Sequence, residues 1–463
     1  MQKHRIKAIG LALFFLCQSL PAMPSPQKPN IIIFFTDDAG YADFGFQGNQ
    51  DFSTPNIDRL SKGGVHFTNA YVTASVCSPS RAGMLTGRYQ QRFGHEYNLP
   101  GMPDPKIGAE KRGLPLSEVL LSDLLKRAGY ATGLIGKWHL GRHENFHPTK
   151  RGFDEFFGMV EGGSSYKSGS AKRVHSNFKK VDYTRLPYLT DAFGDEAAAF
   201  VQRHKDQPFF LYLSFNAPHT PMQARPDYLA HFRKKFKTEK RAINAAMTKS
   251  IDENVGKVLM KLEEHRLLEN TLIFFTNDNG GAMPYNASLN APLRGTKGTC
   301  LEGGNRVPFI VHWPALLPGN LVYDKPISTL DILPTTLAAA GQDLPQDRSY
   351  DGVDLLPYLK GDKDKAPHDL LFWKLNWGAA VRFKNFKLVR TPADEYWLFD
   401  LASDISETRN IISERADVAA DLRAQLEKWE ATLPEPGWVS HPRWREHSLQ
   451  RYDQETVDSY RRN

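Results

Sequence analysis

Four apolar runs, each followed directly by polar residues, constrain the fold of this chain most strongly. The runs cover residues 30–36, 130–136, 208–215 and 271–276. A continuous apolar run of this length is typical of a strand that is buried on both faces of a parallel or mixed sheet. The polar residues that follow the runs are Asp37 and Asp38, Lys137 and His139, His219, and Asp278 and Asn279. Because ligands bind at the carboxyl ends of strands in α/β sheets, this pattern predicts one binding site at one edge of the sheet.

The remaining segments divide the chain into a large N-terminal part and a smaller C-terminal part. Hydrophobic periodicity and stop signals predict a further strand at 308–313 and helices at 53–62, from residue 77, and at 116–128, 191–205 and 239–268. After residue 341 the pattern changes to a hairpin (379–383 and 386–390), a strand (396–400) and a helix (415–433), with no element predicted from residue 434. We therefore expect a catalytic domain over 23–345 and a C-terminal subdomain with an antiparallel sheet, a helix and a tail over 346–463.

Residues 1–22 have the features of a signal peptide. Basic residues come first, residues 8–16 are apolar, and Leu20-Pro21-Ala22 is an imperfect cleavage site. The apolar run is too short to span a bilayer as a helix. We expect an exported protein, periplasmic or secreted, with no membrane attachment after cleavage.

The composition is that of a globular protein with a modest preference for anions. Hydrophobic residues make up 41% of the chain, charged residues 24%, and the net charge is +7. No run of Lys and Arg alternates with aromatic residues in the way that nucleic-acid binding requires, so we expect no nucleic-acid partner. A polyanionic carbohydrate is also consistent with the positive net charge.

The segment Cys77-Ser78-Pro79-Ser80-Arg81 predicts a reactive group at the start of a helix. Proline suits the first helical turn, whose free N–H groups attract anions and lower the pKa of a thiol. Arg81 follows about one turn later, and its planar guanidinium matches tetrahedral oxyanions. These properties indicate a pocket for a phosphate-like or sulfate-like group. A motif this short is also consistent with a small buried cysteine beside a surface arginine.

The chain has three cysteines, of which Cys17 lies in the predicted signal peptide. Cys77 and Cys300 could form a disulfide in an exported protein. We expect no such bond, because Cys77 belongs to the reactive motif. Cys300 is most simply a small packed side chain.

Asp37, Asp38, Asp278 and Asn279 offer only oxygen ligands, which suits a hard divalent cation, calcium before magnesium. Either pair alone would be interpreted as a turn or a helix cap. The two pairs together, at the ends of two predicted strands, predict a metal site.

Lys137 and Lys297 could neutralise the charge of a bound oxyanion together with Arg81. His139 and His219 are candidates for acid or base roles, since histidine titrates near neutrality. Any one of these lysines is more simply a surface residue, and either histidine alone is more simply structural.

Longer motifs extend this interpretation to a family. The string Cys77-x-Pro79-Ser80-Arg81-Ala82-x-x-Leu85-Thr86-Gly87-Arg88 resembles the signature of the type I sulfatases. A second string, Gly129-Tyr130-x-Thr132-x-x-x-Gly136-Lys137-Trp138-His139, resembles the second signature of that family. Two further family blocks correspond to residues 293–297 and 302–308, so the resemblance runs from residue 29 to about residue 314.

The resemblance implies a fold, two cofactors and a role for each site residue. The fold would be an alkaline-phosphatase-like large mixed sheet flanked by helices, with a smaller C-terminal α+β subdomain. Cys77 would be oxidised to formylglycine by a formylglycine-generating or an anaerobic sulfatase-maturing enzyme, and its hydrate would attack sulfur. One Ca²⁺ would be bound by Asp37, Asp38, Cys77, Asp278 and Asn279. Arg81, Lys137 and Lys297 would hold negative charge, His219 would protonate the leaving alcohol, and His139 would take the second proton of the hydrate.

The expected reaction is the removal of sulfate from a sulfated carbohydrate, such as carrageenan or a glycosaminoglycan. The lid, defined as residues 144–189, and the C-terminal part match no family motif and are expected to select the glycan. The cations and aromatic residues of the lid are Arg151, Tyr166, Lys167, Lys172, Arg173, His175, Phe178, Lys179, Lys180 and Tyr183. Three alternatives stay open: a phosphonate or phosphate ester hydrolase on the same scaffold, a non-catalytic glycan-binding protein, and an ordinary cysteine hydrolase.

Overall fold

The computed structural model describes residues 28–99, 107–438, 440 and 443–452. The predicted signal peptide lies outside the described residues. Within them, no helix combines the length and the apolar character that crossing a membrane requires.

The described strands fall into a ten-stranded sheet, a two-stranded sheet and a four-stranded sheet. They are β1 (Asn30–Thr36), β2 (Val65–Phe67), β3 (Ala70–Tyr71), β4 (Ala131–Lys137), β5 (Glu155–Met159), β6 (His175–Ser176), β7 (Lys179–Lys180), β8 (Phe209–Ser214), β9 (Thr271–Asn277), β10 (Phe309–His312), β11 (Leu321–Tyr323), β12 (Ile327–Ser328), β13 (Leu370–Leu375), β14 (Gly378–Phe383), β15 (Phe386–Arg390) and β16 (Tyr396–Asp400).

The helices of the described residues pack around the large sheet and against the four-stranded sheet. They are α1 (Pro55–Lys62), α2 (Cys77–Thr86), α3 (Leu121–Arg127), α4 (Leu189–Arg203), α5 (Pro226–Phe232), α6 (Glu239–Glu264), α7 (Glu302–Asn305), α8 (Ile332–Ala339), α9 (Leu356–Leu359), α10 (Ala416–Glu430) and α11 (Arg443–Gln450).

The ten-stranded sheet has the order β11-β2-β10-β9-β1-β8-β4-β5-β6-β7. The five strands from β9 to β5 are parallel, and β10 runs antiparallel to β9. Ile31, Ile33 and Phe35 of β1 belong to one hydrophobic core, whereas Ile32 and Phe34 belong to the core on the opposite face. The central strand is therefore buried on both faces, which is why its sequence is apolar throughout.

The C-terminal part forms the antiparallel sheet β13-β14-β15-β16, with α10 packed on one face. The hairpin and the following strand agree with the sequence prediction almost residue for residue. The other face of the sheet packs against the large domain through Trp373, whose Nε1 donates to the carbonyl of Val72. The resulting fold is alkaline-phosphatase-like, a large mixed sheet with a smaller C-terminal sheet.

Three predictions of secondary structure were wrong in part. The helix expected from residue 116 begins only at Leu121, because the carboxylate of Asp123 accepts the N–H of Leu120 and caps the helix there. The lid contains β5, a strand of the large sheet, although its five residues were too few to produce a recognisable pattern. The tail, for which no element was predicted, contains α11.

Candidate functional site

The site lies where four neighbouring parallel strands end. In the sheet order β9-β1-β8-β4, the chain leaves each strand at the same edge, and all the predicted polar clusters follow these ends. Two residues of the site turn the backbone sharply, since Asp38 has a φ of 67° and His139 a φ of 59°. The convergence expected from the sequence is therefore present.

Carboxylates form the buried floor of this site. Asp37, Asp38, Asp278 and the sulfur of Cys77 each place one atom so that all four lie within 4.8 Å of one another. Asn279 adjoins them and donates from Nδ2 to Asp38 Oδ1 at 2.8 Å. Its own Oδ1 is buried and has no hydrogen-bond partner among the described residues. A buried set of oxygen atoms with one unpartnered amide oxygen fits a calcium ion well.

Each carboxylate is also paired with at least one cation. Lys137 Nζ lies 2.5 Å from Asp37 Oδ2, and Arg81 NH2 lies 2.9 Å from Asp278 Oδ2. Lys297 Nζ contacts Asp38 Oδ1 at 2.6 Å and Cys77 Sγ at 3.0 Å. Three buried carboxyl groups therefore face three cationic side chains, which compensates part of the cost of removing these groups from water.

The carboxylates differ in protonation because their neighbours differ. Burial, together with the charge of Asp278, raises the pKa of Asp37 to about 8. Burial also acts to raise the pKa of Asp278, but Arg81 and Lys137 outweigh it, and the pKa falls below its ordinary value. Lys297 and His219 lower the pKa of Asp38 in the same way, against the effect of burial. A bound cation would favour the charged form of all three groups.

Cys77 is the first residue of α2 and is almost completely buried. The sequence suggested that the helix would lower the pKa of this thiol, and that expectation was wrong. Burial raises the pKa to about 12, with Asp278 adding to the rise, so the thiol is neutral at physiological pH. Cys77 and Cys300 are both free, as expected.

The two histidines lie on the more open side of the site. The Nδ1–H of His219 donates to the carbonyl of Thr220 at 2.6 Å, which leaves Nε2 3.7 Å from Asp38 Oδ2. Burial lowers the pKa of His219 to about 4 and that of His139 well below its ordinary value. The His219 side chain retains 23% of its exposure, and that of Lys297 16%, whereas Arg81, Lys137 and Asp37 have none. An anion therefore approaches past His219 and Lys297.

Several residues that support the site were not identified from the sequence. Ser214 Oγ accepts from Arg81 NH1 at 2.5 Å, and Asn286 Nδ2 donates to the carbonyl of Asp38 at 2.8 Å. Tyr166 belongs to the lid residues that were expected to select the glycan, but it is buried, and its hydroxyl donates to the carbonyls of Asn216 and His219. No local pattern distinguishes these residues from ordinary core or loop residues.

The cations of the lid also divide into two groups. Arg151 was predicted to face the substrate, but it is buried and donates to the carbonyls of Leu114 and Glu118. The other charged lid residues that were expected to bind substrate keep exposed side chains in and around the β6–β7 hairpin. They are Lys167, Lys172, Arg173, Lys179 and Lys180.

A buried carboxylate cluster that could hold a metal ion, Cys77 beside it and three cations fit a hydrolase of charged esters on an alkaline-phosphatase-like fold. The sulfatase family model matches residues 29–342, and the model described as N-sulphoglucosamine sulphohydrolase, C-terminal, matches residues 297–432. The chain belongs to the sulfatase family and is a sulfuric ester hydrolase.

Relatives of known sequence and structure agree with this assignment. N-acetylgalactosamine-6-sulfatase of Canis lupus familiaris is 36% identical over 375 residues, which cover 76% of this chain and 70% of that one. The uncharacterized sulfatase YdeN of Escherichia coli (strain K12) is 34% identical over 434 residues, or 80% and 74% of the two chains. The crystal structure of Ps i-CgsB superposes with a TM-score of 0.85 at 34% identity, covering 94% of this chain and 99% of that one.

Proposed function

We propose that this protein removes sulfate groups from a sulfated polysaccharide, with carrageenan-type galactans as the first substrate class and glycosaminoglycans as the second. Similarity to Ps i-CgsB, which has also been crystallised with k-i-k-neocarrahexaose, supports the first class. The similarity to N-acetylgalactosamine-6-sulfatase supports the second. Exposed lid cations are compatible with both, because either polymer carries several anionic groups.

The observation that carries the proposal is the contact of Lys297 with both Asp38 and Cys77. Lys297 thereby links a predicted metal ligand, Asp38, to the predicted reactive residue, Cys77. A calcium ion bound by Asp37, Asp38, Asp278, Asn279 and residue 77 would supply a Lewis acid, and the hydrate of formylglycine at position 77 would supply the nucleophilic hydroxyl. A bound divalent cation would favour the charged form of all three carboxylates, which three cationic side chains then balance, so the cation's own charge would leave the pocket positive and favourable for a sulfate ester.

The proposed roles of the surrounding side chains follow from their contacts. Arg81 and Lys137 are fixed by Asp278 and Asp37, so they act as stationary charges beside the sulfate group. His219 has its Nδ1–H committed to Thr220, so only Nε2 can carry a proton toward the leaving alcohol. The negative charge of a bound ester would raise the pKa of His219 from about 4 and favour the protonated form. His139 would act as the base that takes the second proton of the formylglycine hydrate.

The proposal extends to maturation and location. A formylglycine-generating or anaerobic sulfatase-maturing enzyme would modify Cys77, and residues 1–22 would direct export to the periplasm or beyond. The domain boundary near residue 345 remains a prediction of the sequence.

The decisive experiment compares the wild-type protein and Cys77→Ala on a panel of sulfated galactans and glycosaminoglycans, with released sulfate measured by ion chromatography. We expect release by the wild type alone, and a mass for the Cys77 peptide that corresponds to conversion of the thiol to an aldehyde. Matched phosphate esters in the same assay test for a phosphate or phosphonate hydrolase. Full activity of Cys77→Ala would contradict the mechanism, and glycan binding without release would indicate a non-catalytic binding protein.

A further inference from the structure

Ser78, the residue after Cys77, is bonded at both its backbone and its side chain. Its N–H donates to Asn98 Oδ1 at 2.9 Å, which satisfies one of the free donors in the first turn of α2. Its hydroxyl donates to the carbonyl of His139 at 2.7 Å and lies 2.7 Å from His95 Nε2. Ser78 therefore links the helix that begins with Cys77 to the segment that carries His139.

The direction of the two hydrogen bonds of the Ser78 hydroxyl, to His139 and to His95, follows from the chemistry of the groups. A carbonyl oxygen can only accept, so the single hydrogen of the Ser78 hydroxyl is used on His139. The contact with His95 must then run the other way, with His95 Nε2–H donating to Ser78 Oγ. His95 is fully buried, and burial lowers its pKa to about 3, so the neutral ring in this one tautomer is expected at all working pH values.

The His95 ring is itself held in place by the C-terminal part. Trp438 packs edge-to-face on it with 4.7 Å between ring centroids. Trp438 Nε1 lies 3.0 Å from each of the carbonyls of Tyr97 and Asn98. The same short segment, 95–98, thus contacts both the side chain and the backbone N–H of Ser78.

The last acceptor in this series of hydrogen bonds is the carbonyl of His139, a residue with an uncommon backbone conformation. His139 has a φ of 59°, a left-handed conformation that is uncommon and strained for a residue with a side chain. Its N–H donates to Val160 O at 3.2 Å, and its carbonyl accepts from Ser78. The peptide groups on both sides of His139 are therefore fixed, and the ring lies directly against Gly162.

We propose that Ser78 and His95 are positioning residues that hold His139 in its left-handed conformation and so aim its imidazole at the reacting centre. The inference rests on the proposed function for the role of His139. The hydrogen bonds from His95 through Ser78 to His139, with Trp438 packed against the His95 ring, are a property of the fold. Neither Ser78 nor His95 touches the substrate in this scheme.

The test uses paired substitutions at both positions. Ser78→Ala removes the hydroxyl, whereas Ser78→Thr retains it. His95→Phe retains a ring against Trp438 but loses the donor, whereas His95→Gln retains an N–H near the position of Nε2. On a small aryl sulfate, we expect Ala and Phe to lower kcat by about tenfold or more with little change in KM, and Thr and Gln to recover much of the loss.

Two controls separate positioning from general damage. Ser122→Ala removes a buried hydroxyl that donates to the carbonyl of Arg151, and His312→Phe alters a buried histidine near the start of β9, at the opposite edge of the sheet. Both are expected to retain the wild-type kcat. The fraction of modified Cys77, measured by mass spectrometry, corrects each rate for incomplete maturation.

A crystal structure of Ser78→Ala with unmodified Cys77 gives a readout that is independent of activity. We expect the His139 backbone to leave its left-handed conformation or its ring to move, while the backbone of α2 stays in place. Unchanged His139 geometry together with an unchanged kcat would overturn the inference. An inactive wild-type protein would instead contradict the proposed function, and the crystal structures would still test the hydrogen-bonded chain.

Discussion

Replacing Lys387 by methionine should destabilise the protein strongly, because this lysine lies without exposure between two buried carboxylates. Its Nζ is 2.8 Å from Glu302 Oε1 and 3.1 Å from Glu407 Oε1, and all three side chains have no exposed surface. Glu302 lies in α7, at the edge of the large domain, whereas Lys387 lies in β15 of the C-terminal sheet. The pair of Lys387 with Glu302 therefore connects the two parts of the chain, whereas Glu407 belongs to the C-terminal part.

The magnitude follows from leaving buried charges without a partner. Removing one member of a buried ion pair typically costs about 3–5 kcal/mol of unfolding free energy. Two carboxylates lose their shared partner here, although Glu302 keeps Arg306 at 3.3 Å and Glu407 Oε2 keeps the N–H of Glu302 at 2.6 Å. We therefore expect Lys387→Met to cost about 3–5 kcal/mol.

The pH dependence gives a second, independent check. Burial raises the pKa of Glu407 to about 7, with Lys387 opposing the rise. An acid whose pKa is higher in the folded state loses stabilisation as the pH rises, here between the ordinary value of 4.5 and about 7. Without Lys387, the pKa of Glu407 rises further, and the pKa of Glu302, which Lys387 and Arg306 hold below its ordinary value against the effect of burial, rises as well. The deficit of Lys387→Met should therefore be larger at about pH 8.5 than at about pH 5.5.

The assay is urea unfolding followed by tryptophan fluorescence, and Trp373 lies 5.5 Å from Lys387 Nζ as a local reporter. Lys428→Met, on the exposed face of α10, is the matched control and should change the unfolding free energy by less than about 0.5 kcal/mol. Adding Glu407→Gln to Lys387→Met should recover part of the loss, because one unpaired charge is removed. A deficit below about 1 kcal/mol at both pH values would refute the reasoning.

Three further predictions concern the site. Chelation should abolish sulfate release, calcium should restore it better than zinc, and Asp278→Ala should be inactive without chelator; a chelated protein that keeps its rate would make the carboxylate cluster purely structural. His219→Ala should slow esters of sugar alcohols by about two to four orders of magnitude more than nitrophenyl sulfate, since only the poor leaving group needs a proton; equal losses would remove the acid role. Neutralising four lid cations together should lower the rate on a sulfated polymer, most strongly at low salt, and leave the rate on a small aryl sulfate unchanged. If both rates fell in parallel, the lid would not select the glycan, and the C-terminal part would be the next candidate. These four are Lys172, Arg173, Lys179 and Lys180.

The sequence by itself determined the central strands and the group of polar residues that meet at their ends. A strand buried on both faces must be apolar along its whole length, so β1, β8 and β9 were evident within one or two residues. Their polar ends marked one edge of the sheet because parallel strands end together. The residues of the site were thus predictable as a group, although their protonation was not, since the pKa of Cys77 depends on burial that the helix motif does not reveal.

Only the tertiary structure decided which charged and polar residues lie in the interior. Arg151, Tyr166 and Lys387 resemble surface residues in the sequence, and each is buried through partners that lie far away in the chain. The same holds for His95 and Ser78, which are 17 residues apart and meet a third residue 61 positions from Ser78. Hydrophobic periodicity reports the local environment of a segment, whereas a hydrogen bond between distant segments depends on how the whole chain packs.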